Sequence, residues 1–174
     1  MRRLVYDVAI SIDGFIARAD GTVDDFVAEG DHVTDYLQRL TGYDCVIMGR
    51  GTYEFGYRYG MQPGDRPYQN MRHVVISRSL QLPHDCGIEI VREDPVSAVR
   101  KIKSEDGGTI YLAGGAGVAG LLQEAGLIDR LILKVNPIVL GTGLPLFAGG
   151  MPGSLRLVAS HLHETGVVLL TYDF

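Results

Sequence analysis

The sequence predicts an α/β fold with a mostly parallel central sheet, helices on both faces and an antiparallel hairpin at the C-terminal end. Short apolar runs alternate with stretches of helical spacing through the first three quarters of the chain, which is typical of parallel strands joined by helices. The last two apolar runs are separated only by the turn sequence at residues 164–166, which predicts the hairpin. At 174 residues, with 46% hydrophobic and 21% charged residues, the chain fits a single domain over residues 1–174.

The individual elements follow from apolar runs and from helix start and stop signals. The predicted strands cover residues 4–10, 45–48, 73–76, 87–91, a run that starts at Thr109, 131–135, 155–163 and 167–174. A first helix is predicted from Asp31, where apolar residues recur at helical spacing until Gly42. Asp94 and Pro95 form the cap and first turn of a second helix. A third helix follows a glycine-rich turn and ends near Gly126.

The net charge and the distribution of apolar residues argue against two classes of partner, nucleic acids and membranes. The net charge of −5 argues against nucleic-acid binding, which normally requires a basic face. Asp7 and Asp13 interrupt the apolar N-terminal stretch, and no apolar run is long enough to cross a bilayer. Cys45 lies in an apolar run, where a reduced core cysteine is expected. We therefore expect a cytoplasmic protein without a nucleic-acid or membrane partner.

The histidines do not predict a metal site. The chain has five, and they do not fall at the close spacing of metal ligands. His161 and His163 share one face of a predicted strand and could bind a metal together. A solvated strand face is the more common role for such a pair, so we expect no metal.

A glycine-rich turn at residues 112–121, LAGGAGVAGL, is the first sign of function. Gly115, Gly117 and Gly120 have the spacing G-x-G-x-x-G between a predicted strand and a predicted helix, where a dinucleotide phosphate can bind. A Rossmann site would also need an acidic residue about 20 positions later, and Asp129 is too close. Two interpretations remain: another kind of nucleotide site, or a tight turn that only packs a helix closely.

Two further strand ends favour the nucleotide site. Gly49-Arg50-Gly51-Thr52 offers backbone N–H groups, a cation and a hydroxyl after the predicted strand at residues 45–48. Ser77 and Arg78 follow the strand at residues 73–76 and also suit a phosphate. In a parallel sheet, the carboxyl ends of the strands are the usual ligand site. Together with the glycine turn, they predict a dinucleotide clamp.

These motifs resemble the dihydrofolate reductase superfamily. The similarity is greatest to the branch that contains the C-terminal reductase domain of the bifunctional riboflavin-biosynthesis deaminase/reductase. It is carried, in the same order, by residues 11–17 (SIDGFIA), 46–54 (VIMGRGTYE), 75–80 (VISRSL), 114–118 (GGAGV) and 137–147 (PIVLGTGLPLF). The resemblance implies a dihydrofolate reductase-like three-layer fold, an oxidoreductase activity, NADPH as cofactor and a homodimer.

The resemblance also implies which residues bind NADPH. Ala9 and Ile16 would line the nicotinamide pocket. The remaining implied cofactor residues are Gly49, Arg50, Thr52, Ser77, Arg78, Gly114, Gly115, Ala116, Gly117 and Val118. Arg78 would set the preference for the 2′-phosphate, because a guanidinium binds a phosphate dianion bidentately. A solvated surface arginine is the alternative interpretation.

Two departures from the family pattern bear on the substrate. Folate reductases carry an acidic residue early in the helix before the Gly49 segment, and this chain has Val33 there, between Asp31 and Asp35. This argues against a true dihydrofolate reductase. The riboflavin branch is usually fused to a deaminase with zinc-binding motifs, which this sequence lacks. We therefore expect a stand-alone reductase-like unit.

The expected activity is hydride transfer from NADPH to a C=N or C=O carbon of a small polar substrate. The substrate would be heterocyclic or sugar-linked, as is 5-amino-6-(5-phosphoribosylamino)uracil in riboflavin biosynthesis. Asp13, Asp31 and Asp35 are candidates for the proton donor or for substrate binding, although each also suits a turn or a helix cap.

The loop from Tyr53 to Tyr68 is rich in tyrosine and arginine, and it is the candidate for covering the substrate. Tyr57, Arg58 and Arg66 would suit a flat ring or a phosphate. A subunit interface would have the same composition. The competing functional class is a non-catalytic NADPH-binding sensor or interaction protein.

Overall fold

The computed structural model describes residues 1–174. Its strands are β1 (Leu4–Ser11), β2 (Phe15–Ala17), β3 (Tyr43–Gly49), β4 (Arg72–Ile76), β5 (Ile88–Val91), β6 (Thr109–Gly114), β7 (Arg130–Asn136), β8 (Leu144–Pro145), β9 (Arg156–Leu162) and β10 (Val168–Asp173). Its helices are α1 (Asp31–Leu40), α2 (Arg50–Phe55), α3 (Pro95–Ser104) and α4 (Ala116–Glu124), and a 3₁₀ turn covers Gly56–Tyr59. None of the helices is both long and apolar enough to cross a membrane.

Eight strands form one mixed sheet in the order β5-β4-β3-β6-β1-β7-β10-β9. The first six are parallel, and β10 pairs antiparallel with both β7 and β9. The predicted parallel sheet and C-terminal hairpin are therefore confirmed. The sequence did not predict the small second sheet, in which β2 and β8 pair antiparallel. These strands contain only three and two residues, too few for an apolar alternation to be visible.

The two faces of the sheet carry separate hydrophobic cores. On β3, Cys45 and Ile47 belong to one core, whereas Val46 and Met48 belong to the other. Helices α3 and α4 cover the first core, and α1 and α2 pack on the second. Alternation along a strand sends neighbouring side chains to opposite faces, so a continuous apolar run indicates a strand buried on both sides. Burial raises the pKa of the Cys45 thiol to about 11, as expected for a core cysteine.

The last glycine of the G-x-G-x-x-G motif has a packing role. A Cβ atom at Gly120 would collide with the backbone carbonyl of Ala148, and the Ala148 N–H donates to the Ala116 carbonyl at 3.0 Å. The segment that contains Ala148 therefore lies directly against α4. Gly117, in the same helix, has open space where its Cβ would be.

We predict that Gly120→Ala lowers the free energy of unfolding by about 1–3 kcal/mol, because the added methyl group must displace a backbone segment. Gly117→Ala is the matched control. It should leave stability unchanged or raise it by up to about 1 kcal/mol, because alanine favours the helix. Urea denaturation followed by circular dichroism measures both variants. Equal stability of Gly120→Ala and the wild type would contradict the close packing.

Candidate active site

One large cavity, of about 1200 Å³, lies at the carboxyl ends of the parallel strands. Its wall includes residues that follow or end β3, β4, β5 and β6, together with Val8 of β1. Five strands side by side span about 19 Å, so the cavity is long enough for an extended ligand. Among the predicted cofactor residues, the wall contains Ile16, Gly49, Arg50, Thr52, Ser77, Arg78, Gly115, Ala116, Gly117 and Val118.

The β6–α4 turn presents backbone N–H groups to this cavity. Gly114 has φ +99°, a conformation that favours glycine, and it lies behind the wall against the Tyr6 ring. The first hydrogen bond of α4 runs from the Ala119 N–H to the Gly115 carbonyl at 3.0 Å. The N–H groups of the preceding helical residues, 116–118, have no acceptor within the helix. They give this end of the cavity the partial positive charge that attracts anions.

The β3–α2 turn packs tightly against the β6–α4 turn. A Cβ at Gly49 would lie 3.0 Å from Val118 Cγ2, and a Cβ at Gly115 would lie 3.3 Å from Thr52 Oγ1. A Cβ at either glycine would therefore press on a side chain of the neighbouring turn, which would have to shift by a few tenths of an ångström. The glycines allow both backbones to approach the same part of the cavity.

Arg50 and Arg92 form hydrogen bonds to the turn after β4, and the guanidinium of Arg78 in this turn is free. The Ser77 hydroxyl accepts from the Leu80 N–H at 3.0 Å, and Arg50 Nη1 donates to Ser79 Oγ at 2.9 Å. Arg92 donates to the carbonyls of Arg78 and Leu80 at 3.2 and 3.0 Å. The exposed Arg78 guanidinium has no hydrogen bond or ion pair. It is thus available to an anionic ligand that reaches this turn.

The opposite part of the cavity is apolar. Val8, Ile16, Ala17, Ala113 and Leu144 line it, on strands β1, β2, β6 and β8. This surface suits the face of a flat ring.

A loop contact closes one side of the cavity. Arg58 Nη2 donates to the Asp20 carbonyl at 3.2 Å, which joins the 3₁₀ turn to the loop after β2. Both residues line the wall.

The three predicted acids do not reach the cavity. Asp13 accepts from the N–H groups of Leu140 and Gly141 at 3.1 and 2.7 Å. Its pKa is lowered by hydrogen bonds, first from Ser11 and then from these two amides. Asp31 and Asp35 lie on α1 and line a second, smaller cavity. A proton-donor role for any of the three stays a prediction.

The other predicted site residues lie at different places. Arg58 lines the large cavity, whereas Tyr57 and Arg66 do not. The Tyr57 ring packs edge-on against Tyr53 at 5.7 Å, and Arg66 is exposed. Ala9 lies on β1 opposite Lys134, also outside the wall.

Sequence reasoning missed several residues of the wall. Arg92, Glu93 and Asp94, which join β5 to α3, and Pro95, the first residue of α3, line the cavity. Ligands usually bind at the carboxyl ends of parallel strands. The same expectation would have identified these residues, because β5 is parallel to β4. The loop residues Asp20, Gly21 and Val23 also line it, and no sequence signal marks them.

The expectation of a solvated histidine pair is wrong for His163. His161 is exposed on β9, but His163 lies just beyond this strand and is only 5% exposed. His163 Nδ1 lies 3.0 Å from Asp31 Oδ2. The turn after β9 folds over the start of α1 and covers this ring, which strand alternation alone does not reveal.

The family model of the RibD C-terminal domain matches residues 2–169. The chain belongs to this family. Among its relatives, the Bacillus subtilis protein named "Uncharacterized protein YwjB" is 35% identical over 150 residues, which cover 84% of this chain and 83% of that protein. The riboflavin biosynthesis protein RibD of Corynebacterium ammoniagenes is 28% identical over 162 residues, covering 85% of this chain but 47% of RibD. This chain thus spans about half the length of that RibD protein.

Solved structures confirm the predicted fold. A putative riboflavin biosynthesis protein from Shewanella sp. PV-4 superposes with a TM-score of 0.81 and 24% identity over 99% of this chain and 98% of that chain. Dihydrofolate reductase from Enterococcus faecalis, complexed with NADP(H) and RAB-propyl, superposes with a TM-score of 0.70 and 17% identity over 98% and 95% of the two chains. The chain therefore has a dihydrofolate reductase-like fold.

Proposed function

We propose that this protein is an NADPH-dependent reductase of the riboflavin-biosynthesis type. The observation that carries the proposal is the long cavity, with free helix N–H groups in the middle and the unpaired Arg78 guanidinium near one end. Family membership supports it, since a relative in the same family is a riboflavin biosynthesis protein. The structural neighbour complexed with NADP(H) supports the cofactor.

Different residues of the cavity wall would bind different parts of NADPH. Arg78 and Ser77 would hold the 2′-phosphate of the adenosine, and the N–H groups at residues 116–118 would bind the pyrophosphate. Ile16 and the neighbouring apolar surface would orient the nicotinamide. The cofactor supplies the hydride, and the protein excludes water and fixes the distance between the two reacting rings.

The substrate fits the same cavity beside the apolar surface. We propose a small polar heterocycle or sugar-linked compound, of the kind named for the Thermotoga maritima protein, a 5-amino-6-(5-phosphoribosylamino)uracil reductase that shares the fold. Arg58 could contact a phosphate or a flat ring of such a substrate. The acids near it are Asp20 and Glu54, both in the wall.

A non-catalytic NADPH-binding protein is the second candidate function. The observation that favours it is that Asp13, Asp31 and Asp35 all lie outside the large cavity. Both candidates require cofactor binding, and only the reductase requires turnover.

A homodimer fits the exposed edge of the sheet. Every residue of β9 is exposed, and Leu157 and Leu162 remain 52% and 69% exposed. Both pair with β10 residues of the same face, Tyr172 and Val168. An unpaired apolar edge strand is a ready surface for association, and two-fold symmetry is the commonest form of it. We propose that a second copy of this chain covers it.

Arg78→Ala should weaken NADPH binding about 10- to 100-fold and leave NADH binding unchanged, because the lost hydrogen bonds are made to a charged 2′-phosphate. Isothermal titration calorimetry with both nucleotides measures this. The control is Arg100→Ala, which removes an exposed arginine outside the cavity. Equal affinity of the wild type for NADPH and NADH would contradict the assigned role of Arg78.

NADPH oxidation against pyrimidine ribityl precursors, dihydrofolate and simple carbonyls separates the two candidate functions. The reductase predicts turnover of at least one compound, lowered about tenfold or more in Asp13→Ala with NADPH binding retained. The reason is that Asp13 fixes the loop that leads to Leu144 in the cavity wall. The control is Asp106→Ala, an exposed acid outside this wall. Tight NADPH binding without turnover of any compound would favour the non-catalytic protein.

Leu162→Lys should convert a dimer into a monomer, because it places a charge in the proposed apolar interface. Size-exclusion chromatography with light scattering gives the mass. Val139→Lys is the control, since Val139 is 70% exposed on the loop between β7 and β8. A monomeric wild type, or a dimeric Leu162→Lys variant, would contradict this interface.

A further inference from the structure

A second, smaller cavity of about 430 Å³ lies between the start of α1 and the C-terminal hairpin. Asp31, Asp35, His161, His163 and Leu169 line it. None of them lines the large cavity. His161 pairs with Leu169, so its side chain is on the opposite face of the sheet from the apolar Leu162. The proposed dimer face and this cavity are thus on different sides.

Three side chains of this cavity are arranged as metal ligands. Asp31, His161 and His163 each offer one ligand atom, and these atoms lie within 4.8 Å of one another. His163 Nδ1 and Asp31 Oδ2 are 3.0 Å apart, and the two imidazole rings are 4.6 Å apart and nearly perpendicular. Ligand atoms around a tetrahedral zinc ion, each about 2.0–2.2 Å from it, lie roughly 3.4 Å apart. The exposed His161 can rotate to complete such a set.

Unpartnered buried atoms provide an independent argument. The His163 side chain is 3% exposed, and its Nε2 has no hydrogen-bond partner. Asp31 Oδ1 is also buried without a partner. Nearly all buried polar atoms in proteins are satisfied, and an unsatisfied one costs about 1–3 kcal/mol. Two orphaned atoms on neighbouring candidate ligands indicate that a further group belongs there.

The charges of the cavity favour a cation. The lining holds two carboxylates, Asp31 and Asp35, and no lysine or arginine side chain. The Asp35 carboxylate lies 3.7 Å from His163 Nε2 and accepts from Arg39 Nη1 at 2.5 Å. A carboxylate with two imidazoles is a donor set that suits zinc and its neighbours in the transition series better than magnesium or calcium.

We propose that Asp31, His161 and His163 bind a divalent transition-metal ion of the zinc class. Three protein ligands leave one position for water. The ion links the first turn of α1 to the end of β9, two parts of the chain that are also joined here by hydrogen bonds of Asp31 to His163 and Glu164 and of His32 to Thr165. It therefore stabilises the fold at a position separate from the nucleotide cavity.

Titration of chelator-treated protein with zinc chloride tests this site. Calorimetry should show one zinc ion per chain, and zinc should raise the melting temperature. His161→Ala and Asp31→Asn should each weaken zinc binding about tenfold or more. His161 is exposed, so His161→Ala should melt like the wild type when zinc is absent.

The matched control is His84→Ala, an exposed histidine on the loop before β5, which should bind zinc like the wild type. Wild-type protein that binds no zinc would overturn the proposal. So would His161→Ala and Asp31→Asn variants that bind it with unchanged affinity, because the ion would then lie elsewhere. Neither result depends on NADPH or on turnover.

Discussion

The parallel register of β3 with its two neighbours is the constraint on which the large cavity depends. Gly49 at the end of β3 is opposite Ile76 of β4, and Met48 is opposite Gly114 of β6. Backbone hydrogen bonds thus bring three strand-to-loop transitions to the same edge of the sheet. Their residues are far apart in sequence and meet only because the strands run in the same direction.

Close packing turns this alignment into a binding surface. Glycines at positions 49 and 115 let the two neighbouring turns touch, and Gly120 lets the segment at Ala148 lie on α4. The same segment is held by Tyr6, whose hydroxyl donates to the Leu146 carbonyl at 3.2 Å. The part of the cavity wall that these turns form is therefore backbone fixed by packing, which is a suitable preorganised partner for phosphate groups.

The sequence predicted the parts of the fold that follow from local patterns. Strands buried on both faces appear as continuous apolar runs, and the turns after β3, β4 and β6 are marked by glycine, serine and arginine. It could not show that Asp31 contacts His163, since these residues are 132 positions apart and meet through the packing of α1 on the hairpin. The sequence also could not show that loop residues such as Asp20 line the cavity. Their positions depend on tertiary contacts rather than on periodicity.

The central claim is that NADPH lies along the carboxyl ends of β1 and β3–β6. Amide chemical shifts recorded during titration with NADPH test this residue by residue. The account predicts large changes at Gly49, Arg78 and residues 115–118, and small changes at His161 and along β9. Large changes confined to the α1–hairpin cavity or to β9, with the glycine turns unaffected, would contradict it.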